Sequence, residues 1–65
     1  MKLIINGEEE DIEADTVFDL LVHYKMKPEQ VVIELNKRVV KRTDFASQKI
    51  KENDRIEMVH VVGGG

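Results

Sequence analysis

A chain of 65 residues, 42% hydrophobic and 35% charged, can build one thin core, because a protein this small buries only roughly 60% of its unfolded surface. It contains no cysteine, which excludes disulfides, thiolate metal sites and chemistry on a side-chain thiol. The net charge of −3 argues against nucleic acid. No stretch is apolar enough for a membrane span or a signal peptide, so a cytoplasmic protein without a membrane role is expected.

In chain order, Lys2 to Ile5 reads as a strand, and Asn6-Gly7 as a two-residue hairpin turn whose positions tolerate positive φ. The returning strand, Glu9 to Glu13, has Ile12 as its only apolar residue, a composition suited to a sheet edge. Thr16 is placed to cap a helix, with Asp19 three residues on completing a capping box. Val17, Leu20, Leu21 and Tyr24 then recur at helical spacing, with Phe18 at the edge of that stripe. The helix should fade near Lys25 to Lys27, after roughly ten residues, because Pro28 disfavours helical geometry just before it.

Val31 to Leu35 alternates as a strand, Asn36-Lys37 makes a turn and Arg38 to Val40 returns. Arg42 to Ser47 lacks a period and reads as a loop with a helical turn pinned by Phe45. Ile50 is an isolated apolar residue before a turn at Lys51 to Asp54. The last strand runs from Arg55 to Val61 or Val62, with Ile56 and Met58 facing the core. Leu3, Ile5, Val17, Leu20, Leu21, Ile33, Leu35, Ile56 and Met58 should form one cluster between helix and sheet. Ile4, Val32, Val59 and Val61 then point to the other sheet face, where adjacent exposed apolar residues mark a partner site.

This order gives an α+β fold of the ubiquitin-like β-grasp type, with a mixed sheet of four to five strands and one helix across one face. The last strand enters the centre of the sheet, parallel to the first. The expected organisation is a domain over residues 1–62 and a flexible glycine tail over 63–65. The acidic run Glu8 to Asp11 reads as a solvated hairpin tip, and the basic run Lys37, Arg38, Lys41 and Arg42 as a solvated loop or as a surface that orients an acidic partner.

Gly63-Gly64-Gly65 follows the last strand directly. Such a tail contributes nothing to a core and presents only the carboxylate of Gly65 on a thin stalk, able to thread a narrow active site. A frayed chain end is the other reading.

The stretch Val32-Ile33-Glu34-Leu35-Asn36-Lys37-Arg38-Val39-Val40-Lys41-Arg42, then Phe45, then Glu52 through Gly65, resembles the ThiS sulfur-carrier proteins of thiamine biosynthesis. The first half of the chain matches that family mainly by element order. The family usually has Asn-Gly, Pro-Arg and Trp where this chain has Asn36-Lys37, Lys41-Arg42 and Phe45; these departures bear on partner fit and leave the reacting group untouched. The resemblance implies that the Gly65 carboxylate is the modified group, with Gly63 and Gly64 threading partner active sites. A ubiquitin-activating-type, ThiF-like enzyme would adenylate it with ATP, and a persulfide protein would supply sulfur. The resulting thiocarboxylate would donate to a ThiG-like thiazole synthase. No cofactor is expected on the carrier itself. The small subunit of molybdopterin synthase shares fold and Gly-Gly but is usually longer. A ubiquitin-like protein modifier or binding module is an alternative of another class. Catalysis by the chain alone is disfavoured: His23 and His60 are the only candidates, neither has a carboxylate orienter by spacing, and two such distant histidines make no metal motif.

Overall fold

The structure is a computed structural model that describes residues 1–61. Lys2–Ile5 (β1) and Glu8–Asp11 (β2) form the first hairpin, antiparallel about Asn6 and Gly7, whose φ angles are 50° and 86°. The returning strand begins at Glu8 and ends at Asp11, earlier than its composition predicts. Ile12 lies beyond it and is buried, its N–H donating to the Met1 carbonyl at 2.9 Å.

Val17–His23 (α1) starts from a complete capping box. The Asp19 N–H donates to the Thr16 hydroxyl at 3.2 Å, and the Asp19 carboxylate accepts from the Thr16 N–H at 3.2 Å. The helix is seven residues long, shorter than predicted, and Pro28 is not what ends it. Lys25 takes φ 58° and the N–H groups of Lys25 and Met26 donate to the carbonyls of Val22 and Leu21. That double closure is a Schellman motif, here with lysine where glycine is usual. Met26 completes it by packing against the core.

A 3₁₀ turn at Pro28–Gln30 leads into Val31–Leu35 (β3), and Arg38–Val40 (β4) returns antiparallel about Asn36 and Lys37, at φ 51° and 73°. A second 3₁₀ turn, Arg42–Asp44, sets Phe45 into the core. Arg55–His60 (β5) is the last strand. The expectation that the strand extends to Val61 is met only by hydrogen bonding: Val61 lies outside the strand, but its N–H donates to the Gln30 carbonyl at 2.8 Å. Val62 and the expected domain boundary lie outside the described residues.

The five strands run in the order β2-β1-β5-β3-β4, with β5 parallel to β1 and antiparallel to β3. This is the ubiquitin-like β-grasp. Eight of the nine predicted core residues are buried, and Leu35 is half-buried against the same cluster. Ile12, Ala14, Val31, Phe45 and Ile50 enlarge the core. They come mostly from irregular segments, tied to the helix by a bridge between Thr16 and Lys49. Tyr24 is half-buried, and burial, with Glu10 and Glu8 across the gap, raises its hydroxyl pKa above the ordinary tyrosine range.

Candidate functional site

The central strand positions everything that a partner would meet at the end of the described chain. β5 is bonded on both sides, and two asparagine side chains lock it further. Asn6 Oδ1 accepts from the Met58 N–H at 2.7 Å and its Nδ2 donates to the Met58 carbonyl at 3.3 Å. Asn36 Oδ1 accepts from the Arg55 N–H at 3.0 Å, and its Nδ2 donates to Asp54 Oδ1 at 3.1 Å. Asp54 is buried, and its other oxygen accepts from the Lys51 N–H at 2.8 Å. The strand is therefore held in register from Asp54 to Val61. Gly63, Gly64 and Gly65, the predicted reacting tail, lie outside the described residues.

The sheet face away from α1 is open, and alternation along β5 puts Arg55, Glu57, Val59 and Val61 on it. Val32 stands directly opposite Val59, and both are exposed, Val59 at 56%. Val61 follows on the same side, also exposed. Three of the four residues expected on a docking face thus lie together. Ile4 shares the face but lies apart, beside Arg55 on one side and Glu9 on the other, and is half-buried.

Between these groups Glu34 lies opposite Glu57. Like charges directly across a sheet are destabilising, and no ion pair among the described residues relieves this one: the pairs found join Met1 to Asp11 and Glu13, and Lys2 to Glu9. Sequence reasoning overlooked Val39, which is 67% exposed and opposite Glu34. The signal was present, since a two-residue turn at Asn36 and Lys37 pairs Leu35 with Arg38 and so Glu34 with Val39. A strand of three residues is too short for its own alternation to reveal a face.

The histidines stay apart in role and place. His23 ends α1 with its ring edge-on to Tyr24, centroids 4.9 Å apart, and His60 ends β5 opposite Val31. Among the described residues no three side chains of histidine, aspartate or glutamate are grouped to hold a metal ion, and no helix is long and apolar enough to cross a membrane.

Fold and face together define a small ubiquitin-like β-grasp protein whose central strand leads to its C-terminal residues. The sequence profile of the ThiS family matches residues 3–65, and the chain belongs to that family. It is 34% identical to the sulfur carrier protein ThiS of Bacillus subtilis, over 97% of this chain and 98% of that one. The crystal structure of the thiamine biosynthesis protein ThiS from Geobacter metallireducens superposes with a TM-score of 0.83 at 33% identity, covering both chains in full. The chain is also 42% identical to part of a thiazole synthase of Magnetococcus marinus, matching over its whole length but spanning only 20% of that protein.

Proposed function

We propose that this chain is a sulfur carrier in thiamine biosynthesis, with the carboxylate of Gly65 as the group that is loaded. The observation that carries the reading is the family match running through residue 65, onto a glycine tail that follows the best-anchored strand of the sheet. A free carboxylate is a poor acyl donor. Its attack on the α-phosphorus of ATP, in a ubiquitin-activating-type enzyme, expels pyrophosphate and leaves an acyl-adenylate. The terminal sulfur of a protein persulfide then displaces AMP, and cleavage of the S–S bond by a thiol releases the thiocarboxylate. A thiazole synthase is the proposed acceptor, supported by the similarity to part of such an enzyme. The carrier is not the catalyst, because its reacting atoms belong to the backbone.

The open face around Val32, Val59, Val61 and Val39 is the proposed docking surface for the adenylating enzyme, with Ile4 at its margin. The unrelieved Glu34 and Glu57 pair suits a partner that brings a basic group to the centre of that face. Intact mass spectrometry tests the reading after incubation with the adenylating enzyme, MgATP and a persulfide donor. One oxygen of the chain should be replaced by sulfur. Deleting Gly65, or adding one residue after it, should abolish the product while the fold persists. Gly64→Ala should impair loading less completely, because its Cβ crowds a close backbone approach. Val59→Asp should weaken binding without changing the melting temperature. Recovery of an isopeptide to lysine, or normal loading of the extended chain, would overturn the proposal.

A further inference from the structure

The two edges of the sheet carry opposite charge. β2 is Glu8, Glu9, Glu10 and Asp11, whereas β4 is bracketed by Lys37, Lys41 and Arg42 and begins with Arg38. Cations along an exposed edge commonly serve only to prevent strand-to-strand aggregation. Here the basic character extends beyond the strand. An open groove of about 670 Å³ lies between β4 and the segment that follows the second 3₁₀ turn, lined by Arg38 and Lys41 from the one and Lys49 and Lys51 from the other. The latter two come from the irregular segment after the second 3₁₀ turn, where edge protection does not require them. Val40 and Ile50 give the groove an apolar floor.

Two carboxylates also line the groove, and neither closes an ion pair with these cations. Asp54 is buried and spends both oxygens on Asn36 and the Lys51 backbone. The ion pairs among the described residues all lie at the opposite edge, around Met1 and Lys2. β4 is a terminal strand, so one side of its backbone meets no other strand of the sheet. An added strand can use such a side, with main-chain hydrogen bonds for affinity and side-chain contacts for specificity.

We infer that this groove takes an acidic, extended segment of a protein partner, laid along β4 with its carboxylates between the two rows of cations. Among the described residues, the acidic strand that a second copy of this chain could offer is β2. Pairing β2 of one copy with β4 of the next is head-to-tail and builds rings or filaments rather than a two-fold dimer; the cationic lining instead matches an acidic segment of a different protein. The groove touches Asp54, where β5 begins, and the described chain leaves the sheet at Val61. At Val40 the groove is level with Ile33 and Met58, three residues or about 10 Å short of Val61. The inference is independent of sulfur transfer.

The test is an NMR titration of the whole chain with a capped ten-residue peptide of aspartate, glutamate and valine. Saturable shifts are expected at the amides of Arg38 to Lys41 and Lys49 to Lys51, weakening as salt rises. Lys49→Glu with Lys51→Glu, both exposed positions, should preserve the spectrum and lower affinity about tenfold, since opposed charges across a contact become like ones. Lys25→Glu with Lys27→Glu makes the same change in net charge outside the groove and should leave affinity within about twofold. Equal losses in both double variants would reduce the effect to net charge and overturn the inference. So would identical shifts with inorganic phosphate, tighter binding of single-stranded DNA, or peptide-free self-association detected by sedimentation.

Discussion

The two hairpins use one backbone device with different chemistry. Each turns on two residues at positive φ, and in each the first is an asparagine whose amide side chain reaches across to β5. The first hairpin places glycine next, and a Cβ built there would meet nothing within 4 Å. The second places Lys37 at φ 73°, a strained conformation for a residue with a side chain. Asn6 contacts only the backbone of Met58, whereas Asn36 also partners a buried carboxylate. The shared element is thus the clamp on the central strand. What differs is how much buried polarity depends on it.

The largest effect should come from the support common to both hairpins. Leu21→Ala removes a side chain that is only 1% exposed and should cost about 2–5 kcal/mol, read by denaturant unfolding. Both hairpins should melt together, and loss of one alone would break the view of them as halves of a single cooperative unit. Next, Asn36→Ala should cost about 2–4 kcal/mol and Asn6→Ala about 1–2 kcal/mol, because the former strips a partner from buried Asp54 as well as a backbone bond. Equal costs would mean that Asp54 finds a substitute donor. Exchanging the second turn residues should act reciprocally. Lys37→Gly should stabilise and Gly7→Lys destabilise, each by about 1 kcal/mol, a backbone effect readable in the melting temperature.

The smallest effect concerns pH, and only the first hairpin. A hydrogen bond to Asp11, foremost, and one to Glu13, with the negative charge of both carboxylates, raise the pKa of the Met1 ammonium above its ordinary value. A folded-state pKa raised in this way contributes stability below about pH 8 that is lost as pH climbs through the raised value. Melting temperature should therefore fall slightly as pH climbs above about 8, before Tyr24 titrates above about 10. Acetylating the N-terminus should flatten that slope.

Signals local in sequence were legible. Asn-Gly, strand alternation and the Thr16–Asp19 box placed both hairpins and the start of the helix, and the order of elements implied the parallel central strand. The end of the helix was not legible, because its Schellman closure uses Lys25 instead of glycine. Ile12, Ala14, Phe45 and Ile50 were hard to assign to the core, since single apolar residues in irregular segments have no period to betray their direction. The basic groove was hidden for a similar reason: Arg38 and Lys49 are distant in sequence and meet only through the path of the second 3₁₀ turn. Of the candidate site, the valines opposite one another followed from alternation, whereas the separation of Ile4 needed the parallel register of β1 against β5.

That central placement of β5 also bears on synthesis. The strand made last among those described is the one that both hairpins need as a neighbour, and its pairing with β1 joins positions as far apart as Ile4 and Arg55. While the chain is emerging, the sheet has a gap in its middle and two apolar surfaces without a common support. Contacts this remote in sequence slow folding. They also act as a check on completeness, because a chain that stops short of β5 has no centre to fold around and cannot bring a partner's surface and its own last strand together.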